Sequence, residues 1–208
     1  MNKGSLYTVL LFFYLAIPTI FAQEANTESV SLEEQIGQML LVGFRGLTVT
    51  ADSAIVRYVR QGKVGGVILF DYDVIKKVYD RNIASSVQVR ELNTFLQANA
   101  DIPLFVSIDQ EGGRVLRLKS KYGFPFIPSQ RFLGMLNNQD TTRHYAALNA
   151  TTMSTLGFNL NFAPVVDLNL VTDSGVIGFL ERAFSSDPEK VALHAGIIAD
   201  ESSKQGVI

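Results

Sequence analysis

The chain contains no cysteine and no tryptophan, and it has no long run of basic residues. Without cysteine there is no disulfide framework and no lipidated amino terminus. The 18 lysines and arginines nearly balance the 20 acidic residues, giving a formal net charge of −2, which argues against nucleic acid or an anionic membrane as the main partner. The two histidines, His144 and His194, lack acidic or histidine neighbours at ligand spacing, so we expect neither a metal site nor a catalytic histidine.

The amino terminus has the pattern of a secretory signal peptide. Lys3 precedes an apolar stretch over residues 6–17, Pro18 interrupts it, and Ala22 offers a small residue at a cleavage point. We expect residues 1–22 to be removed and residues 23–30 to form a flexible leader, which places the mature protein in the periplasm or outside the cell. An uncleaved amino-terminal anchor is the alternative.

About 185 of the 208 residues follow the signal, enough for one domain with a substantial core. Four apolar runs of strand length alternate with segments of helical spacing, and residues 206–208 resemble the start of a fifth strand. This alternation predicts a parallel sheet with right-handed crossovers, either an open doubly wound sheet or part of an eight-stranded barrel. The predicted strands are residues 40–44, 64–70, 102–109 and 158–168.

The predicted helices begin at two capping boxes and follow apolar spacing between them. The first starts after Ser31 and should bury Ile36 and Met39. The second should bury Ile55, Val56 and Val59 and stop at Gly62. Helices are predicted from residue 32 onward and over residues 51–61, 74–100 and 141–156, the third with a break near 80–85. The last predicted helix begins at the capping box at 186–189 and ends near 205. Residues 122–132 are predicted to be irregular.

Polar residues follow the predicted strands, and they favour the barrel over a dinucleotide-binding sheet. The first strand is not followed by the Gly-x-Gly-x-x-Gly pattern, and a phosphate-binding loop is also missing. Successive strand ends of a barrel need only polar side chains. Those present are Arg45, Asp71, Asp109, Asp167 and Asn169.

Five ordered motifs resemble glycoside hydrolase family 3, closest to its β-N-acetylhexosaminidases. They are IGQMLLVGF at 36–44, VGGVILF at 64–70, DQEGGR at 109–114, NFAPVVD at 161–167 and ERAFS at 181–185. The resemblance implies that residues 31–208 are the amino-terminal half of a (β/α)8 TIM-type barrel. It also implies retaining hydrolysis of terminal β-linked sugars, often N-acetylglucosamine, with no cofactor.

The same resemblance implies a sugar-binding role for Asp109, Arg117 and Arg182. A carboxylate beside a guanidinium suits vicinal hydroxyls, which both donate and accept hydrogen bonds. Simpler interpretations exist: Asp109 could cap a turn, and Asp167 could be a ligand or a hydrogen-bonded strand-end residue. The residues expected to support the site are Glu111 and Arg114, as a structural ion pair at the Gly112-Gly113 turn, and Glu181, as a group that orients Arg182.

The family's nucleophile and acid/base are expected beyond residue 208, so the sequence is interpreted as a fragment without catalytic residues. A non-catalytic sugar-binding half barrel that self-associates is an alternative function, and β-glucosidase activity is a variant within the family. An unrelated aldolase-like barrel is disfavoured because no lysine stands at a strand end; Lys63 precedes a strand instead.

Overall fold

A computed structural model describes residues 30–79, 81–171 and 174–208. The predicted signal peptide and all but the last residue of the predicted leader lie outside the described residues. Residues Ser31–Ile208 form one compact unit. None of the helices in the described ranges combines the length and the apolar character needed to cross a membrane.

The described residues contain a parallel sheet whose strands follow one another in chain order. Its strands are β1 (Leu41–Gly43), β2 (Gly66–Leu69), β3 (Phe105–Ile108) and β4 (Leu160–Asn161). Ile208 extends this order, because its N–H donates to the Asn159 carbonyl (3.0 Å) and its carbonyl accepts from the Asn161 N–H (2.8 Å), as in parallel pairing. The predicted barrel-type α/β architecture is confirmed.

Helices cover one face of this sheet and build the core. Val67, Val106 and Ile108 are fully buried in one cluster with Val56 and Leu96 from the helices. Alternate strand residues face the other way, and there Phe105 is 45% exposed. The helices are α1 (Leu32–Gln38), α2 (Ala54–Arg60), α3 (Ser86–Ala98), α4 (Gln130–Leu136), α5 (Gln139–Thr155), α6 (Gly175–Gly178) and α7 (Pro188–Lys204).

A second cluster joins α4 and α7, and a buried histidine links α7 to α5. Leu133 and Phe184 pack with Val191 of α7. His194 is fully buried; its Nδ1 lies 2.8 Å from the Thr142 hydroxyl, and its ring stacks on Phe184. Burial lowers the pKa of His194, which favours the neutral form of the ring between these helices.

The prediction that α1 buries Ile36 and Met39 is wrong. Ser31 caps the helix as expected, its Oγ accepting from the Glu34 N–H (3.2 Å), but Ile36 is 52% exposed and Met39 84% exposed. The residue that packs inward is Gly37, where a Cβ would lie 2.4 Å from the Gly62 carbonyl oxygen. The helix therefore approaches the chain before β2 backbone to backbone, which apolar spacing does not reveal.

The helix predicted from residue 74 begins only at Ser86. Asp73 closes a turn instead: its Oδ1 accepts from the N–H groups of Ile75 (3.0 Å) and Lys76 (3.1 Å), and its own N–H donates to the Val78 carbonyl (2.9 Å). A side chain that bonds the nearby backbone in this way competes with helix formation. Ile75 and Val78 are exposed as a result.

Three further boundaries differ from the sequence prediction. The strand expected over residues 158–168 is limited to β4, and the chain beyond it is irregular around Pro164, which has no N–H to donate. The cap of α7 is Asp187, not Ser186, since its Oδ1 accepts from the Glu189 N–H (3.0 Å). The segment expected to be irregular ends in α4, which Ser129 caps.

Two helical glycines provide a matched test of the packing. A Cβ on Gly134 of α4 would lie 1.8 Å from the Phe184 carbonyl oxygen, whereas a Cβ on Gly196 of α7 meets nothing within 4 Å. We expect Gly134→Ala to lower the free energy of unfolding in urea by about 1–3 kcal/mol. Gly196→Ala should raise it by up to about 1 kcal/mol, the helix propensity of alanine over glycine. Equal effects of the two substitutions would contradict the packing of α4 against residue 184.

Candidate sugar-binding site

Ion pairs between acidic and basic side chains follow the carboxyl ends of β2 and β3. Each carboxylate comes from the chain just beyond one of these strands. Lys119, Arg45 and Arg182 come from a different connection than their carboxylates, whereas Arg117 and Asp109 both follow β3. The pairs are Asp71–Lys119 (2.5 Å), Asp73–Arg45 (2.6 Å), Asp109–Arg117 (2.8 Å) and Glu111–Arg182 (2.7 Å). This is the end of a parallel sheet at which α/β proteins bind ligands.

Asp109 and Arg117 form the most accessible carboxylate–guanidinium pair that follows β3. The Arg117 Nη2 donates to Asp109 Oδ2, and the two side chains are 24% and 25% exposed. The guanidinium of Arg117 also lies 5.7 Å from the centroid of the Phe70 ring. Asp109 is thus held by a guanidinium rather than by the backbone of a turn, and both groups remain accessible to a ligand.

The buried amide of Gln110 sets the position of Arg117. Its Oε1 accepts from the backbone N–H groups of Arg117 and Leu118, both at 3.0 Å. The backbone N–H of Gln110 donates to Asn161 Oδ1 (3.0 Å), and its backbone carbonyl accepts from Asn149 Nδ2 (3.0 Å). The sequence prediction missed this role, although a glutamine at the end of a buried apolar run was a signal that it needed partners.

Gly112 and Gly113 are required by the geometry of the backbone after β3. Their φ angles are 101° and 58°, and a Cβ would lie 2.2 Å from the Pro128 carbonyl oxygen at Gly112 and 2.5 Å from the Ser129 Cβ at Gly113. Their N–H groups donate to the carbonyls of Val115 and Ile127. These donors are used within the loop and do not form a phosphate cradle.

The ion pair predicted between Glu111 and Arg114 is wrong, because Glu111 binds Arg182. Both Glu111 oxygens accept from the Arg182 guanidinium at 2.7–3.1 Å. Glu111 raises the pKa of Arg182, with smaller contributions from Asp167 and Asp109, so Arg182 lies within electrostatic reach of Asp109. Glu111 stands two residues after Asp109, so the Glu111–Arg182 and Asp109–Arg117 pairs both follow the end of β3.

Arg114 turns away from the Gly112-Gly113 turn. Its Nη1 donates to the Phe179 carbonyl (2.9 Å), and its guanidinium lies 5.0 Å from the centroid of the Phe179 ring. Glu181 does not orient Arg182 through its side chain in the described part of the chain, where Glu111 makes that contact. Its backbone has a positive φ of 57°, and its carbonyl accepts from the Arg131 N–H (3.2 Å).

The remaining strand-end carboxylates have different surroundings. Asp167 is exposed and makes neither a hydrogen bond nor an ion pair with another described residue, so its interpretation as a hydrogen-bonded strand-end group is wrong. Asp71 and Asp73 each bind a separate cation. In residues 30–79, 81–171 and 174–208, no three metal-ligand side chains come together.

Residues 31–208 match the family model described as the glycosyl hydrolase family 3 N terminal domain. A beta-hexosaminidase from Pseudomonas aeruginosa is 37% identical over 158 residues, which cover 76% of this chain and 42% of that protein. The chain thus spans less than half the length of this relative.

Solved structures show the same likeness. A glycoside hydrolase family 3 beta-N-acetylglucosaminidase from Paenibacillus sp. str. FPU-7 superposes with a TM-score of 0.75 at 32% identity, over 86% of this chain and 32% of that one. NagZ from Neisseria gonorrhoeae, solved with N-trifluoroacetyl-D-glucosamine, superposes with a TM-score of 0.69 at 26% identity, over 80% of this chain and 47% of that one.

The Glu111–Arg182 pair should contribute to stability because Glu111 is almost fully buried while its partner is partly exposed. Glu111→Gln removes the charge with little change in shape, and we expect it to lower the free energy of unfolding by about 1–3 kcal/mol. Glu181→Gln is the matched control and should change stability by less than about 0.5 kcal/mol. A larger loss for Glu181→Gln in urea denaturation would show that Glu181 rather than Glu111 holds the guanidinium.

The Asp73–Arg45 pair predicts a pH dependence. Hydrogen bonds, first from Arg45 and then from the Lys76 N–H, lower the pKa of Asp73 from 3.8 to about 2. Because the folded pKa lies below the unfolded value, Asp73 contributes stability above about pH 4, and this contribution is lost as the pH falls through about 2.

Carboxyl-carbon NMR titration of Asp73 should therefore show a midpoint near 2. In Arg45→Met this midpoint should rise toward the ordinary aspartate value. In Arg90→Met, which removes an exposed arginine of α3, it should not move. An unshifted midpoint in Arg45→Met would contradict the assigned cause.

Proposed function

Because this chain belongs to glycosyl hydrolase family 3, we propose that the protein carrying it releases terminal β-linked N-acetylhexosamine from a glycan by a retaining mechanism. The observation that carries the proposal is the accessible Asp109–Arg117 pair, with the Arg182 guanidinium within electrostatic reach of Asp109. Residues 31–208 supply sugar binding in this proposal.

The chemistry of the pair suits a pyranose. Asp109 Oδ2 accepts from Arg117, whereas its Oδ1 makes no hydrogen bond to another described residue, so one carboxylate oxygen is available to a sugar hydroxyl. The guanidinium of Arg117 can donate to the oxygen of a neighbouring hydroxyl. A hydroxyl that donates to Asp109 and accepts from an arginine satisfies both groups at once, which favours a sugar over a purely apolar ligand.

Bond cleavage is assigned to groups outside residues 31–208. A retaining glycosidase needs two carboxyl groups about 5 Å apart, one acting as nucleophile and the other as acid/base. Asp71, Asp109 and Glu111 are each bound to a lysine or an arginine, as expected of binding groups. The match to less than half of the Pseudomonas aeruginosa protein agrees with this division of roles.

The preference for an N-acetylated sugar is supported by the relatives. The matched protein from Pseudomonas aeruginosa is named a beta-hexosaminidase, and the NagZ structure contains N-trifluoroacetyl-D-glucosamine. We therefore propose N-acetylglucosaminides as substrates before glucosides. The apolar stretch over residues 6–17 supports secretion of the protein across the inner membrane.

A second candidate is a non-catalytic sugar-binding module that pairs with a copy of itself. The exposure of Phe105 and Phe162, 45% and 47%, on the uncovered face of the sheet favours it. A stable dimer that binds N-acetylglucosamine without hydrolysing the glycoside, observed by sedimentation and sugar titration, would support this candidate over the hydrolase.

The proposal is tested with 4-nitrophenyl N-acetyl-β-D-glucosaminide. Residues 23–208 alone should release nitrophenol at the buffer rate, whereas the protein expressed from its complete reading frame should hydrolyse the substrate. Asp109→Asn should lower kcat/KM by about 10- to 100-fold, the value of a hydrogen bond to a charged group.

The control is Asp101→Asn, since Asp101 is exposed and precedes β3 at the other end of the sheet. This substitution should leave kcat/KM unchanged. Turnover by residues 23–208 alone would refute the assignment of catalysis to other residues. Faster hydrolysis of the corresponding glucoside would refute the proposed substrate.

A further inference from the structure

We propose that Lys119 is a further sugar-binding residue, whose ammonium donates to a hydroxyl of the sugar that Asp109 and Arg117 bind. The inference rests on the proposed function and extends it to a residue outside the predicted site. Lys119 Nζ donates to Asp71 Oδ2 (2.5 Å). It stands two residues after Arg117, and its backbone is extended (φ −87°, ψ 152°).

The Asp71–Lys119 pair lies beside the Asp109–Arg117 pair because of the strand register. Leu69 of β2 is the partner of Ile108 of β3, so the register places Asp71 beside Gln110, one residue further along than Asp109. The segment 117–119 crosses both strand ends, with Arg117 bound to Asp109 and Lys119 bound to Asp71. The two cations therefore line one continuous edge of the site.

The burial of the two partners is unequal in a way that suits ligand binding. The Asp71 side chain is 1% exposed, whereas that of Lys119 is 30% exposed. An ammonium has three N–H donors, and among the described residues Asp71 is its hydrogen-bond partner. The Tyr79 ring centroid lies 4.7 Å from Nζ and covers one side. Donors are left for a hydroxyl oxygen, with the buried carboxylate fixing the ammonium in place.

The neighbouring Asp73–Arg45 pair has a structural role and provides a comparison for the Asp71–Lys119 pair. Asp73 bonds two backbone N–H groups besides Arg45 and thereby closes a turn. Asp71 accepts no backbone hydrogen bond in the described residues; its partner is Lys119. A buried carboxylate used in this way positions one cation, and a ligand-binding side chain needs such a supporting partner to hold its geometry.

The test measures kcat/KM of the protein from its complete reading frame with three substrates. They are 4-nitrophenyl N-acetyl-β-D-glucosaminide and its 4-deoxy and 6-deoxy analogues. Lys119→Met should lower kcat/KM for the parent substrate by about 10- to 100-fold. For the analogue that lacks the contacted hydroxyl, wild type and variant should be equal, a selectivity that a merely structural loss does not produce.

Two variants separate contact from folding. Asp71→Asn/Lys119→Met removes the carboxylate that the single variant leaves unpaired, and it should keep the loss on the parent substrate. Lys121→Met removes a cation that lies 3.5 Å from the centroid of the Tyr79 ring, and it should change none of the three values.

The inference is overturned if Lys119→Met has no effect, if its loss is equal on all three substrates, or if the double variant recovers wild-type activity. Wild-type hydrolysis together with any of these results leaves the proposed function standing. Absence of hydrolysis by the wild-type protein would overturn the proposed function, and the inference on Lys119 with it.

Discussion

The geometry of the site depends on the hydrogen bonds of one buried amide, that of Gln110. Its side chain accepts two backbone N–H groups from the segment that carries Arg117, while its backbone bonds Asn149 of α5 and Asn161 of β4. Breaking this set would leave several buried polar groups without partners, each at a cost of about 1–3 kcal/mol. The loop after β3 is therefore fixed to the helix layer and to the next strand, and the guanidinium of Arg117 is placed before a sugar arrives.

The same residue explains why three consecutive side chains have three roles. Side chains alternate in direction at the end of a strand, so Gln110 turns into the protein while Asp109 and Glu111 lie on its other side. Asp109 stays accessible and binds Arg117, whereas Glu111 is buried and binds Arg182 from a segment 71 positions later. One short stretch thereby brings together two guanidinium groups that are far apart in sequence.

Much of this arrangement was predictable from the residues. Apolar runs and capping patterns predicted the parallel sheet and most helix positions, whereas the resemblance to glycoside hydrolase family 3 implied that Asp109 and Arg117 lie in one site. Two of the errors share a cause, which is contact between residues distant in sequence. Glu111 was assigned to its near neighbour Arg114, but the positive φ angles of Gly112 and Gly113 direct the chain so that Arg182 reaches the carboxylate. The spacing of apolar residues in α1 likewise does not show that the helix contacts the chain before β2 through Gly37.

The loop after β2 shows how the fold prepares this edge for binding. Asp71 binds a lysine from the loop after β3, and Asp73 binds an arginine from the loop after β1, so one connection is tied to both of its neighbours. Exposed ion pairs contribute little to stability, but both carboxylates here are buried and would be costly without their cations. The pairs hold the loops in one arrangement, and a ligand that meets ordered loops loses less free energy to their ordering. The charged residues after the strands thus serve binding through preorganisation as much as through direct contact.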